Sequence, residues 1–285
     1  MNRRDFLVGL GSSGAGVAAG AVGGYEGERY DPAVRHARDL ASQAAFESTA
    51  HLGTARLIWS VPTEQDVVAL TFDDGPHPSF TPRVLQALAD AGMRATFNVM
   101  GWAALRYPEL LRQTVAAGHE IGNHTWTHED FAFTDLEATR EQMLRGKDAI
   151  EQVTQVPLRF LRPPRGDING AALHLAAELG YDVLLWSVAR GPGDGPGTGS
   201  QVADHVLHDV RRGDVIAFHD GIGRGTFAPH SSLARGLVAR REVEIRVLPQ
   251  ILSGLTARGL RAVTVSELLA VELPRVPRQR GASSG

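Results

Sequence analysis

Cysteine is missing altogether from the 285 residues. That absence excludes disulfide frameworks, thiol nucleophiles and thiolate-held zinc, so any metal has to be held by histidine and carboxylate. Eleven histidines leave that route open. A basic excess is also missing: 29 Lys and Arg against 32 Asp and Glu leave a formal net charge of -3. Phosphate binding needs clustered positive charge, so no nucleic-acid partner is expected. No internal repeat of about 20–50 residues signals a solenoid. What is present is ordinary globular composition, 43 % hydrophobic and 21 % charged, enough to bury a core without external staples.

After Met1 the chain reads Asn2-Arg3-Arg4-Asp5-Phe6-Leu7, followed by an uncharged stretch rich in Gly, Ala and Ser that ends before Glu26. Paired arginines ahead of a mild apolar region, with Ala19-Gly20-Ala21 as a small-residue cleavage site, resemble a twin-arginine export signal. A spanning helix needs ~20 predominantly apolar residues, whereas seven positions of this stretch are Gly. The expectation is therefore a mature chain without stable membrane insertion, secreted or extracytoplasmic in the cell envelope. The organisation expected is an export signal over 1–21, an N-terminal extension over 22–64, a main folded domain over 65–270 and a flexible tail over 271–285. The tail carries Arg275, Arg278 and Arg280 without an acid, short of a basic run that would bind anionic polymer.

From Pro62 onward, strand-like and helix-like segments alternate closely, the pattern of an α/β fold with a largely parallel sheet. Val67 to Phe72 is an apolar, β-branched run ending in Asp-Asp-Gly-Pro. A helix over Pro82 to Ala91, a strand over Arg94 to Val99, a helix over Ala103 to Ala117 and a strand ending at Asn123 follow. Thr134-Asp135-Leu136-Glu137 fits a capping box. Further strands are expected over Leu158 to Leu161, Val183 to Val188, Val215 to Phe218 and Leu260 to Val265, seven to eight in all. Residues 191–199 are Gly/Pro-rich and form a loop.

The polar clusters share one placement, just after a strand, where βα barrels assemble their sites from separate loops. Asp73-Asp74-Gly75 closes the first strand. Adjacent side chains of a strand face opposite sides, so two acids converge only where it ends, and Gly75 gives the backbone that freedom. His124 and His128 are four apart, and on a helical turn both rings reach one ion. Asp74 or Asp73 can complete a three-ligand set that leaves an open position, the layout of a catalytic zinc. Arg162-Pro163-Pro164-Arg165-Gly166 forms a stiff loop, Trp186 ends a strand, and His219 lies immediately past another, a location suited to a general acid. Aromatics amount to only 6 % of the chain. Trp102, Trp126 and Trp186, near strand ends, are either core or surfaces for sugar rings.

In this order the clusters resemble the polysaccharide deacetylases of carbohydrate esterase family 4, the NodB-homology domain. Thr71 to Gly75 matches the first motif, His124 to His128 the H-[ST]-x-x-H motif, Arg162 to Gly166 the R-x-P-x-G motif, and Ile216 to His219 the final L-x-H-like motif. The resemblance implies a catalytic domain over 65–270 with a distorted (β/α) barrel of seven or eight strands, and a metal-dependent hydrolase that removes N-acetyl groups from peptidoglycan or chitin oligosaccharide; a monomer is expected. It makes Asp74, His124 and His128 the ligands of a divalent metal, Zn2+ before Co2+ or another ion. Asp73 becomes the base for the metal-bound water that attacks the acetyl carbonyl, and Arg162 orients Asp73. His219 is the acid, the Arg165 main-chain N–H an oxyanion donor, and Trp186 a substrate contact. The alternatives are an O-acetylxylan esterase using the same site and a catalytically weak glycan-binding homologue. Two departures stand out. Arg165 occupies a position that is usually aromatic. The acid that follows the fourth-motif strand and tunes the catalytic histidine is missing after Trp186-Ser187-Val188, with Asp194 as a candidate replacement.

Overall fold

A computed structural model describes residues 55–191 and 197–273. The export signal and most of the expected N-terminal extension, Asp194, and the three tail arginines lie outside the described residues. Within the span 22–64 the structure places a two-residue strand, β1 (Leu57–Ile58), which pairs with a strand more than a hundred residues later.

The remaining elements follow in chain order. β2 (Val67–Asp73) leads to α1 (Thr81–Ala91), β3 (Thr96–Val99), α2 (Gly101–Arg106), α3 (Pro108–Ala116), β4 (Glu120–Asn123), α4 (Leu136–Thr154) and β5 (Phe160–Leu161). Then come α5 (Gly170–Glu178), β6 (Asp182–Leu184), β7 (Val188–Ala189), α6 (Gly199–Asp209), β8 (Val215–His219), α7 (Ser232–Ala257), β9 (Arg261–Val263) and α8 (Val265–Leu269). The sheet runs β1-β6-β5-β4-β3-β2-β8-β7, with β9 also on β2, and every strand pair is parallel. Every residue of β2 is buried, as expected of a parallel strand covered on both faces. The curled sheet is closed by irregular chain rather than by a regular ladder. Val61 N–H donates to the Gly213 carbonyl at 2.7 Å, and an antiparallel bridge joins Ser60 to Asp214. The α/β class and the distorted barrel are therefore as the sequence predicts, with nine strands in the sheet among the described residues where seven or eight are expected.

Local differences have local causes. The helix expected over 103–117 is two helices, because Pro108 lacks an N–H and pushes the residue before it out of the α region. Tyr107 accordingly sits at φ -133° and ψ 56°. The capping box at Thr134 does not form: Asp135 caps α4 by accepting from Ala138 N at 2.8 Å, while the Thr134 hydroxyl pairs with that of Thr139 at 2.7 Å. Asp is as good a cap as Thr, and capping there leaves Glu137 too early to reach back. The single strand expected over 183–188 divides, since β6 pairs with β1 and β5 while β7 pairs with β8. Trp186 lies in the crossing. Among the described residues, no helix is long and apolar enough to cross a membrane.

At the end of the sheet remote from the strand C-termini, His119 is 8 % exposed and packs on Phe97 at 5.2 Å between ring centroids. Its Nδ1 accepts the Ala95 N–H at 3.3 Å, so the ring is neutral there. Burial, with help from Arg94, pushes its pKa down to about 4. The unfolded chain then binds more protons between the two pKa values. Stability is fully present above about pH 6.5 and is lost as pH falls toward 4, with an upper limit of about 3 kcal/mol that any water reaching the ring reduces. Urea unfolding of His119→Leu should therefore give a flatter stability profile between about pH 6.5 and 4 than that of the wild-type chain; an equally steep profile would remove His119 from the acid sensitivity.

Candidate metal centre

Parallel pairing in register aligns the functional side chains at the strand C-termini. Asp73 lies opposite Asn98 on β3 and His219 on β8, and Asn123 lies opposite Leu161, next to Arg162. Alternation along β2 alone would send Asp74 away from Asp73. It does not, because Asp74 itself adopts φ 77°, a left-handed conformation that Asp tolerates better than most residues. Gly75 has a different role from the expected one. A Cβ there would lie 2.3 Å from the Asp220 carboxylate, so Gly75 permits a close approach while Asp74 makes the turn.

The two imidazoles do not share a helical turn, since residues 124–130 are irregular. Thr125 and His128 take φ 67° and 61°, and the loop is pinned by its own side chains. Asn123 Oδ1 accepts from Thr125 N at 2.9 Å, and Thr125 Oγ1 accepts from His128 N at 3.1 Å. A β-branched residue in this conformation carries strain; here it folds His128 back until the two rings stand 4.8 Å apart, edge to face.

Asp74, His124 and His128 thus converge, with one ligand atom from each lying within 4.8 Å of the others. Both Nε2 atoms are 3.4 Å from Asp74 Oδ1. That oxygen is buried and accepts no hydrogen bond, a costly state for a carboxylate unless a cation satisfies it. Gly223 faces the same atom, and a Cβ there would approach it to 3.1 Å. The second carboxylate oxygen is held by Arg241 Nη2 at 3.1 Å. His124 Nδ1 bonds the Arg162 carbonyl at 2.7 Å, which fixes the ring and leaves Nε2 as the ligand nitrogen. Burial pushes the His128 pKa down to about 4, keeping its lone pair available. Burial also raises that of Asp74, but His128, His124, His219 and Arg241 outweigh it and hold the acid well below its ordinary value. A hard or borderline divalent cation fits this donor set.

Asp73 is kept apart from the triad by its own partners. Arg162 is fully buried and donates Nη1 to Asp73 Oδ2 at 2.7 Å, Nη2 to Thr71 Oγ1 at 3.1 Å and Nε to the Leu184 carbonyl at 2.6 Å. Asn98 Nδ2 donates to Asp73 Oδ1 at 2.7 Å. Burial raises the Asp73 pKa, but Arg162, then His124, His219 and Asn98, bring it below the ordinary carboxylate value. The acid is ionised at neutral pH and is fixed through both oxygens.

His219 ends β8 half-buried, and its partner is Glu244 of α7, with Nδ1 and Oε2 3.2 Å apart. Trp186 is half-buried against the smaller core cluster. Its ring covers Gly166, where a Cβ would come within 2.8 Å, and the Arg162 guanidinium carbon lies 5.1 Å from the ring centroid. Arg165 sits at φ 58° in the 3-10 turn Pro164–Gly166, and its Nε lies 3.8 Å from Asp130 Oδ2. Trp102 stacks edge-on against Phe227 at 5.2 Å.

The sequence reading missed Asn98, Arg241, Glu244 and the role of Asp220. Burial, with Asp74 and Asp73 nearby, raises the Asp220 pKa to about 7 against a 2.5 Å hydrogen bond from Thr81 Oγ1. Only Asp220 carried a signal in the sequence, its place next to His219.

The polysaccharide deacetylase family profile matches residues 60–184. A peptidoglycan-N-acetylglucosamine deacetylase of Bacillus cereus is 38 % identical over 218 residues, spanning 76 % of this chain and 94 % of that protein. A chitooligosaccharide deacetylase of Sinorhizobium fredii is 36 % identical over 193 residues, 67 % of this chain and 86 % of that one. Among solved structures, that of a peptidoglycan N-acetylglucosamine deacetylase is similar with a TM-score of 0.65 at 27 % identity, covering 77 % of this chain and 95 % of the other.

Proposed function

The chain belongs to the polysaccharide deacetylase family, and from that membership we propose that it is a metal-dependent hydrolase removing N-acetyl groups from peptidoglycan or chito-oligosaccharide. The observation that carries the reading is the buried, unsatisfied Asp74 Oδ1 held 3.4 Å from two imidazole nitrogens, beside a separately anchored, ionised Asp73. Asp74, His124 and His128 hold the ion, Zn2+ being the best match to two nitrogens and one oxygen. When bound, the ion polarises the acetyl carbonyl and makes water acidic enough to serve as nucleophile near neutral pH.

Asp73 accepts the proton of the attacking water, and Arg162 with Asn98 prevents the carboxylate from turning away. His219 donates a proton to the sugar nitrogen as the C–N bond breaks, giving acetate and a free amine. The Arg165 main-chain N–H is assigned to the developing oxyanion; such a donor is typically worth ~2.7–4 kcal/mol. Trp186, rigid between Gly166 and Arg162, forms a wall against which the acetyl group packs. An intact base, ligand set and acid favour an enzyme over a glycan binder. The twin-arginine-like N-terminus and the peptidoglycan-acting relatives favour an extracytoplasmic site of action.

Acetate release from N-acetylglucosamine oligomers, peptidoglycan and acetylated xylan tests the reading. Release from the first two should stop with chelator and return with zinc. Asp74→Asn should lower bound metal from one per chain to a small fraction and abolish turnover. Release that survives complete metal removal, or none from metal-loaded chain that still binds glycan, would overturn the assignment; preference for xylan would move it to the O-acetyl class.

A further inference from the structure

We propose that Glu244 is the positioning residue for His219, supplied by helix α7 and locked in place by Arg190 and Arg241. The inference rests on the deacetylase reading, because it concerns how the leaving nitrogen receives its proton.

The geometry is specific at both ends of the carboxylate. Oε2 accepts the His219 main-chain N–H at 3.1 Å and lies 3.2 Å from His219 Nδ1, so one oxygen fixes both the backbone and the ring of the same residue. Oε1 lies 3.0 Å from Arg241 Nη1 and 3.0 Å from Arg190 Nε. The Glu244 side chain is 2 % exposed. Arg241 and Glu244 are three apart on α7 and share a face. Arg241 continues past Glu244 to donate Nε to the Gly221 carbonyl at 2.6 Å and Nη2 to Asp74 Oδ2 at 3.1 Å. The same helix face therefore reaches the imidazole and a candidate metal ligand.

Charge settles which atom carries the proton. Burial raises the Glu244 pKa, but Arg241, His219 and Arg190 outweigh it and keep the group ionised. An ionised carboxylate only accepts, so His219 Nδ1 bears hydrogen and donates to it. The other ring nitrogen, Nε2, is then the one that can carry a transferable proton. When Nε2 gives that proton to the sugar nitrogen, the C–N electron pair stays on nitrogen as the bond to the acetyl carbon breaks. His219 is left neutral with its Nδ1–H still on Glu244. Without the anion, the ring could turn or take the other tautomer, and its charged form would lose its partner.

A leaving-group comparison separates this role from support of the fold. An amide needs its nitrogen protonated, whereas nitrophenolate departs from an aryl acetate unaided. Glu244→Gln should lower kcat for N-acetylglucosamine oligomers by about tenfold or more, within the range of acid catalysis, with KM little changed. Aryl-acetate hydrolysis should fall far less. In a His219→Ala background the same substitution should cost nothing further on the amide, because residues acting as a unit are not additive. Glu244→Asp, which keeps the charge, should recover part of the loss and serves as the readable variant if glutamine beside two buried arginines prevents folding. Equal losses on both substrates, or losses that multiply in the His219→Ala background, would overturn the role at His219. A wild-type chain that hydrolyses the aryl acetate but no N-acetyl glycan would instead overturn the deacetylase reading, and the positioning role with it.

Discussion

Asp73→Asn should reduce kcat on N-acetylated glycan by about 10²–10⁴-fold, the range that a positioned acid or base supplies, while the chain still binds one metal. The two halves of that expectation come from the separation of the two acids. Asp74 faces the imidazoles and Arg241, whereas Asp73 faces Arg162 and Asn98, so neutralising Asp73 leaves the candidate ligands untouched. Asparagine fits the space and can still accept from Arg162, but it cannot take a proton. It also leaves the fully buried Arg162 without its counter-ion, so unfolding should become easier by a few kcal/mol. Metal content and kcat must therefore be measured below the variant's melting temperature. Retained activity above about one tenth of wild type would remove Asp73 as the base, and loss of the metal would show that it belongs to the ligand set.

The same separation explains what the sequence made legible. Each cluster that carries chemistry is contiguous: Asp73 with Asp74, His124 with His128, Arg162 through Gly166. Short contiguous patterns after apolar runs survive without knowledge of the tertiary fold. Their local geometry does not survive as well. His124 and His128 meet through a loop with two left-handed residues and not through a helical turn, and Asp74 rather than Gly75 makes the first turn. The first is set by side-chain bonds inside the loop, Asn123 to Thr125 and Thr125 to His128, and the second by a distant segment, Asp220 against Gly75.

Arg241 and Glu244 were illegible for a different reason. On a 26-residue helix, an Arg and a Glu three apart look like an ordinary solvated pair. Only packing against the end of β8 buries them, and Arg241 reaches Asp74 across 167 residues of sequence. The break at Pro108, by contrast, was available in the sequence, because the residue before a proline resists the α region. β1 was too short to show any periodicity.

Arg162→Met should cost about 3–5 kcal/mol of stability, since it removes one partner of a buried ion pair and leaves the other charged. Asp73 would keep its Asn98 hydrogen bond but lose the strongest influence opposing burial. The Thr71 hydroxyl and the Leu184 carbonyl would lose a donor as well. Activity should fall with it, because the base is no longer held through its second oxygen. The double variant Asp73→Asn with Arg162→Met separates the two effects. It removes the uncompensated charge and replaces the guanidinium by an apolar chain of similar length, so it should be more stable than Arg162→Met alone. It should also be inactive, because no base has been restored. Stability recovered without catalysis would identify the pair as a device for holding an ionised base in a buried position. Additive losses in urea unfolding would mean that Arg162 supports the fold through Thr71 and Leu184, with Asp73 held by Asn98 alone.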